Sequence, residues 1–432
     1  DYGDATDFEN RQREQTFRGI LSWDHMKSNW KVGVKGGYIH TWMAYDYKRE
    51  VAPGNWASMT RSRSKVNTFY GQAEGEYSPS KRWFLSANVS AYQHLVRSED
   101  KNIILQDGNK AIVGYDKGRV ELSGSVSAKW QPIDRLGMSM VLREEMYGDR
   151  WAPLIPAFFV DGVISRRGNI VAKASVSRNY RFPTLNDLYF LPGGNPDLKP
   201  ETSVNSEAAI YWNPTANSGI NVTLFHNKFK DKIDTTIVRP CALTNFVRPC
   251  ANLGDYYAVL GLGSTISIPF NVDKARIKGA EVAGRYQFFP GLSLRANYTY
   301  TDSKQLTGAS AGQPLTQSAK HMANATIDWE PLDGLSTQLS AEHRSRRYRG
   351  VATNGDHLYY NSYTVLNLGA QYRLNDHLTI SGRVNNLLDR DFRGYDVDFG
   401  NPVNGAYTPT YIDHYNNKDK ARSYWVSVNA RF

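Results

Sequence analysis

The chain ends on Tyr424-Trp-Val-Ser-Val-Asn-Ala-Arg-Phe432, and in that stretch apolar and polar side chains alternate without a fault. Tyr424, Val426, Val428, Ala430 and Phe432 fall on one face of an extended strand, and Trp425, Ser427, Asn429 and Arg431 fall on the other. Such a strand suits a boundary between lipid and a polar interior, and a terminal aromatic is how a membrane β-barrel ends. Any half-buried antiparallel strand alternates in this way, so the weight of the reading comes from repetition.

Working back from that end, the same pattern recurs. Leu378, Ile380, Gly382 and Val384 oppose Thr379, Ser381 and Arg383, and Leu292, Leu294, Ala296, Tyr298 and Tyr300 oppose Ser293, Arg295, Asn297 and Thr299. Val120, Leu122, Gly124, Val126, Ala128 and Trp130 do the same against Glu121, Ser123, Ser125, Ser127 and Lys129. No helical period competes. The expectation is an all-β fold, a transmembrane antiparallel β-barrel, continuous over residues 1–432.

Composition agrees with a membrane signal split between two faces. Hydrophobic residues make up 41%, with 27 Tyr, 17 Phe and 10 Trp. Mean hydropathy is nonetheless −0.54, and no run approaches the roughly 20 apolar residues of a membrane helix. No composition break, linker or low-complexity block divides the chain. The net charge of +10 is scattered, with no basic recognition helix or stacking sheet, so nucleic acid is not an expected partner. Cations in loops and lumen, and on a surface meeting anionic lipid or lipopolysaccharide, account for it better.

The two cysteines, Cys241 and Cys250, lie in a polar run, Val238-Arg-Pro-Cys-Ala-Leu-Thr-Asn-Phe-Val-Arg-Pro-Cys250. A disulfide closing so short a loop contributes roughly 2 to 3 kcal/mol and belongs to an oxidising compartment. A metal site is the rival, but no histidine lies nearby and the spacing matches no zinc pattern.

Short connections alternate with long ones. Tight reversals fall near residues 24–28, 78–81, 131–134, 165–168, 213–217, 289–291, 331–334 and 374–376, each rich in Pro, Gly, Asn, Asp or Ser. Long connections fall near 44–65, 97–117, 180–202, 231–273, 302–320, 347–362 and 387–421, with a shorter one near 149–153. The short set marks the periplasmic side and the long set the outside. About seventeen strands result. The odd count puts Asp1 on the outside, so at least one strand is expected ahead of it, and the chain reads as a mature or truncated one and not as a cytosolic protein.

The blocks Tyr180-Arg-Phe-Pro-Thr-Leu-Asn-Asp-Leu-Tyr-Phe190 and Gly193-Gly-Asn-Pro-Asp-Leu-Lys-Pro-Glu201 resemble those of TonB-dependent outer-membrane receptors. The resemblance continues through Phe225-His-Asn-Lys-Phe-Lys-Asp-Lys-Ile233, Lys274-Ala-Arg-Ile-Lys-Gly-Ala-Glu281 and Val384-Asn-Asn-Leu-Leu-Asp-Arg-Asp-Phe392. It implies a 22-stranded barrel with an N-terminal plug preceding this chain, driven by the TonB-ExbB-ExbD complex. It also implies assembly by the barrel assembly machinery, with Phe432 as the assembly signal; a surface lipoprotein lid is a further possible partner. Pro183, Pro196 and Pro200 read as stiffeners of a loop, and Asn385 to Asp389 as caps for backbone groups where a strand leaves the membrane.

No nucleophile elbow, Walker loop or HExxH motif is present, so neither an enzyme nor a cofactor is expected. Arg181-Phe-Pro183 and Asn195-Pro-Asp-Leu198 match boxes of haem receptors, but Thr184 to Gly194 lacks the histidine between them; His357 and His414 lie in other external loops. The modest loops look more similar to those of cobalamin receptors, so a cobalamin-type ligand is the first expectation. A ferric siderophore is the second, drawn by Arg239, Arg248, Arg344, Arg346, Arg347 and Arg349. The candidate ligand contacts are Tyr189, Phe190, Tyr256, Tyr257 and Tyr411 with Arg239 and Arg248, because tyrosine offers a flat face and a hydrogen bond. A passive channel is the alternative of another class.

Overall fold

The computed structural model describes residues 8–52, 54–101, 115–190, 194–238, 266–308, 310–351, 356–390, 395–399, 409–413 and 421–431. The first eleven strands are β1 (Phe8–Met26), β2 (Trp30–Ala52), β3 (Asn55–Ser80), β4 (Trp83–Asp100), β5 (Tyr115–Ile133), β6 (Leu136–Tyr147), β7 (Arg150–Trp151), β8 (Ile155–Val163), β9 (Ile170–Arg181), β10 (Glu201–Trp212) and β11 (Ser218–Val238). The rest are β12 (Ile266–Phe289), β13 (Leu292–Gln305), β14 (His321–Leu332), β15 (Leu335–Arg344), β16 (Arg347–Val351), β17 (His357–Tyr360), β18 (Tyr363–Arg373), β19 (Leu378–Asn385), β20 (Tyr395–Phe399), β21 (Pro409–Asp413) and β22 (Ser423–Ala430).

One 18-stranded sheet contains all of these except two separate hairpins, β16–β17 and β20–β21. Within the sheet β7 is a two-residue stub, which leaves seventeen long strands, each antiparallel to the next. Among the described residues no register joins β22 to β1.

The alternation read from the last strand propagates through the ladder. Tyr424 opposes Val384, which opposes Leu368, and the row continues through Leu339, Ile327 and Leu294. The adjacent row, Trp425, Arg383, Gly369, Gln338, Asp328 and Ser293, faces the other way. On that inner face Asp328 accepts from Arg295 Nη2 and from Gln338 Nε2, both at 2.8 Å. Outward residues such as Val426, Leu224 and Val89 are 71%, 57% and 59% exposed. A soluble protein would bury them; here they form the surface that meets lipid. No helix among the described residues is long and apolar enough to cross a membrane.

All eight tight reversals fall where the sequence places them, between consecutive long strands. Gly291 and Gly334 sit in two of them with φ of +90° and +79°. The long connections differ from expectation. Residues 44–65, expected as a loop, instead extend β2 and β3 to 23 and 26 residues, although about 10 tilted residues span the bilayer. The excess projects outside, where water bathes both faces and the apolar alternation that marks a strand disappears. Residues 347–362 and 387–421 likewise carry the two small hairpins. One helix also forms, α1 (Leu185–Tyr189), where no helix is expected.

Asn386 shows how a strand is stopped at the external end. It is 3% exposed, has φ of +50°, donates from Nδ2 to the Arg390 carbonyl and accepts from the Arg390 amide, both at 2.9 Å. This is the capping role read from the Asn-Asn-Leu-Leu-Asp block. Asn386→Ala is expected to cost about 2 to 4 kcal/mol, through two lost hydrogen bonds and a strained backbone. Asn386→Gly loses the same two hydrogen bonds but tolerates the positive φ, so its urea midpoint should fall between alanine and wild type; equal midpoints for all three proteins would refute the assignment.

Candidate functional site

At the external end of the inner wall, the segment after β9 is latched to strands far away in sequence. Phe182 stacks on Tyr147 with centroids 3.7 Å apart. Arg119 of β5 lies over the same Tyr147 ring at 5.1 Å and donates from Nη1 to the Pro183 carbonyl at 3.1 Å. Its Nε and Nη2 meet Glu121 Oε1 at 2.8 and 2.6 Å. The other oxygen of Glu121 lies 3.6 Å from His94 Nε2, and His94 Nδ1 is 2.9 Å from Thr68 Oγ1. A polar chain therefore runs from β3 through β4 and β5 to the loop.

The loop itself is built from short-range signals. Thr184 caps α1 by accepting from the Asp187 amide at 3.0 Å, and Asp187 accepts from the Thr184 amide at 2.8 Å. This reciprocal box lets five residues hold a helical turn after a proline. Tyr115 Oη donates to Asn186 Oδ1 at 2.6 Å. Further on, Asn195 Oδ1 accepts from the Asp197 amide at 3.0 Å while its Nδ2 donates to the Pro269 carbonyl at 3.1 Å. Leu198 is 1% exposed, and Arg150 reaches its carbonyl at 3.4 Å. Asn271 accepts from the Lys199 amide at 2.8 Å and donates to the carbonyls of Lys199 and Asp231 at 2.9 and 2.7 Å. Glu201 accepts from the Ile233 amide at 2.9 Å. Three of the sequence blocks singled out above thus converge into one tethered structure.

Of the expected contacts, Tyr189 closes α1 beneath Lys117, whose Nζ lies 5.2 Å from its ring, and packs against Tyr115. Phe190, next along, is 42% exposed. Tyr256, Tyr257, Arg239, Arg248, Cys241, Cys250, His414 and Phe432 lie outside the described residues. Tyr411 lies in β21, with its side chain outside them as well. Sequence reasoning did not single out Arg119, His94, Lys117 or Arg150, and it met Glu121 only as one of the alternating polar residues. Their signal was position on the polar face of a strand, which they share with dozens of residues.

A second assembly is the β16–β17 hairpin. Arg346 lies over Tyr359 at 4.5 Å, Arg347 over Tyr360 and Tyr363 at 5.3 and 5.8 Å, and Arg349 over Tyr360 at 5.8 Å. Tyr348, 4% exposed, bonds to Gln313 and meets His357 and Tyr359 edge-on at 5.3 and 5.8 Å. Burial pushes its phenol up, and the neighbouring Tyr359 adds to the effect. Arg344 differs, since Glu342 Oε1 accepts from its Nε at 2.8 Å. Stacking on a tyrosine ring fixes the plane of a guanidinium and leaves its edge N–H groups able to meet an incoming anion. Among the described residues no group of three His, Cys, Asp or Glu could hold a metal ion.

The family model for TonB dependent receptor-like β-barrels matches residues 1–387. The chain belongs to this family. It is 28% identical over 350 residues to the iron-regulated outer membrane virulence protein of Vibrio cholerae serotype O1, covering 77% of this chain and 48% of that protein. It is 26% identical over 318 residues to a ferric enterobactin receptor of Pseudomonas aeruginosa, covering 67% and 39%. It is 28% identical over 231 residues to the vitamin B12 transporter BtuB of Photobacterium profundum, covering 52% and 33%. The chain thus spans about half the length, or less, of these curated relatives. Among solved structures, the copper transporter OprC superposes with a TM-score of 0.71 at 15% identity, over 98% of this chain and 66% of that one. That likeness is one of fold alone. This receptor barrel is an outer-membrane protein, and the Pseudomonas and Photobacterium relatives are named as a receptor and a transporter.

Proposed function

We propose that this barrel is part of a TonB-dependent receptor that takes up a ferric siderophore, with the β16–β17 hairpin supplying the first contacts. The observation that carries the reading is the row of Arg346, Arg347 and Arg349 held against Tyr359 and Tyr360. An iron chelate with anionic, aromatic donor groups matches both halves of that surface, charge to guanidinium and ring to ring. The names of the Vibrio relative, iron-regulated, and of the Pseudomonas relative, a ferric enterobactin receptor, support iron. Cobalamin, the first expectation from loop size, keeps the support of the B12 transporter among the relatives.

The ladder's ends support further strands in the whole protein. An unpaired strand edge in hydrocarbon leaves N–H and C=O groups without partners, at several kcal/mol for each group. Strands outside this chain, filling the gap between β22 and β1, would remove that cost, and a plug in a lumen so wide would make uptake depend on TonB-ExbB-ExbD.

The test uses the full-length receptor in a strain lacking its own siderophore and cobalamin receptors. Uptake of an iron-55 ferric catecholate, dependent on TonB, is the expected result. R346Q/R347Q/R349Q is expected to weaken catecholate binding about tenfold or more, the loss of about three charge-assisted contacts, while leaving cyanocobalamin untouched. Uptake of cyanocobalamin alone would overturn the siderophore reading, and uptake that persists without TonB would identify a passive channel.

A further inference from the structure

Near the periplasmic end of the inner wall the sheet breaks its own pairing rule. Arg285 of β12 stands directly opposite Arg295 of β13, and like charges in that relation destabilise a sheet. Arg295 follows the inward-facing Ser293 at the strand period and Arg285 is its ladder partner, so both side chains belong to the lumenal face. Asp328 relieves Arg295, its Oδ2 lying 2.8 Å from Nη2. Arg285 forms no ion pair among the described residues. On its other side it faces Gly219, where an added Cβ would come within 3.3 Å of Arg285 Nε, so the missing side chain makes room for the guanidinium. A local rule broken at a cost in stability marks a functional position.

A cavity of about 520 Å³ opens in the wall here, lined by both arginines, Asn221, Asn297, Asn324 and Tyr211. It begins about 13 Å of strand above the turn at Gly291. Tyr211, Asn221, Ala283, Asn297 and Asn324 form one inward row across five strands, and Lys173 Nζ lies 5.0 Å from the Tyr211 ring. Two guanidiniums and three amides therefore offer N–H donors around a small floor at Ala283, with one aromatic face at the side.

We propose that this cavity is a second, lower station for the anionic iron chelate on its way to the periplasm, with Arg285 as the residue that receives it. The inference rests on the siderophore reading and adds to it a place inside the lumen. The β16–β17 hairpin rises between β15 and β18, and β13 is two strands from β15, about 10 Å around the wall. The cavity thus lies below the external contacts on the same side of the barrel. An anion between Arg285 and Arg295 relieves their repulsion, so the feature that costs the sheet stability is the one that favours the ligand. The cavity opens to the lumen and takes one edge of the chelate only. A conducting path needs such stations, strong enough to draw the ligand and weak enough to release it.

The test compares R285K, R285Q and R285E in the full-length receptor, in the strain lacking its own siderophore and cobalamin receptors. Binding of the iron-55 ferric catecholate is read in cells without TonB and initial uptake in cells with it. All three variants should bind within about twofold of wild type, while maximal uptake stays near wild type in R285K, falls about fivefold in R285Q and falls further in R285E. Heat-modifiable gel mobility in urea reads folding separately. R285Q removes a like-charge pair and R285E replaces it with an opposite-charge pair, so both should be at least as stable as wild type; an arginine with a purely structural role would give the reverse order. Uptake by R285E equal to wild type would overturn the station. Vancomycin sensitivity of the R285Q and R285E cells, through an opened lumen, would assign Arg285 to holding a plug in place and overturn it too. Wild-type cells that neither bind nor take up the catecholate would overturn the siderophore reading and the station with it, whatever the variants do.

Discussion

Gly279→Ala is expected to cost this barrel about 3 kcal/mol or more, the largest loss from adding one methyl group anywhere in the described sheet. Gly279 belongs to the Lys274 to Glu281 block and pairs with Phe225 on one side and Thr301 on the other. A Cβ there would fall on the Tyr300 carbonyl oxygen and 2.6 Å from Phe225 Cζ. The carbonyl is backbone and cannot rotate away. The Phe225 ring, from a different block, occupies the space that a side chain would take, which is how an aromatic compensates a strand glycine. Shrinking the ring in Gly279→Ala/Phe225→Leu should therefore recover only part of the loss. Gly71 is the internal control, because nothing lies within 4 Å of its added Cβ; Gly71→Ala should be neutral or stabilising by up to about 1 kcal/mol. The folded fraction in urea, followed by heat-modifiable gel mobility, separates the two. Matching midpoints for Gly279→Ala and Gly71→Ala would sink the explanation.

The second large effect is expected at Arg119. Its guanidinium meets Glu121, the Pro183 carbonyl and the face of Tyr147 together, and its side chain and that of Glu121 are only 20% and 18% exposed. Arg119→Ala leaves a largely buried carboxylate with His94 as its remaining neighbour and frees the Pro183 carbonyl, a loss of about 3 kcal/mol. The loss should be local: β5 stays paired while residues 182–200 unlatch, so limited proteolysis cuts there in the variant and not in wild type. Arg119→Lys keeps the charge without the fork and should fall between. In Arg119→Ala/Glu121→Gln the two effects should sum to less than their separate values, because the second change removes the stranded charge. Unchanged protease resistance in Arg119→Ala would show that the loop holds itself.

How much of this was legible beforehand follows from the range over which each signal acts. The eight tight reversals and the inward or outward sense of the strands are local properties, and they agree with the structure from Trp23 to Tyr424. The capping box of α1 was legible as Thr184 and Asp187 but lay in a segment too short for helical periodicity to register. The outer halves of β2 and β3 were misread because Asp46, Lys48, Arg61 and Arg63 break the apolar rhythm. Outside the bilayer, ladder hydrogen bonds hold the strands, and no lipid enforces a pattern. The latch of Arg119 to Pro183 was invisible for a different reason: it joins residues 64 positions apart, and only register across β5, β6, β8 and β9 brings them together.

The sequence by itself determined the class of the protein, the order and faces of its membrane-spanning strands and its family blocks, because alternation and turn chemistry are written residue by residue. The tertiary structure alone decided which charges meet. Arg344 is paired with Glu342, Arg346 and Arg347 rest on tyrosines, and Arg61 and Arg63 gather around Asp46 on the outer surface. In the sequence all of these are arginines in external connections. What separates their roles is the face of the sheet and the neighbour across the ladder, and both are set by the pairing of strands.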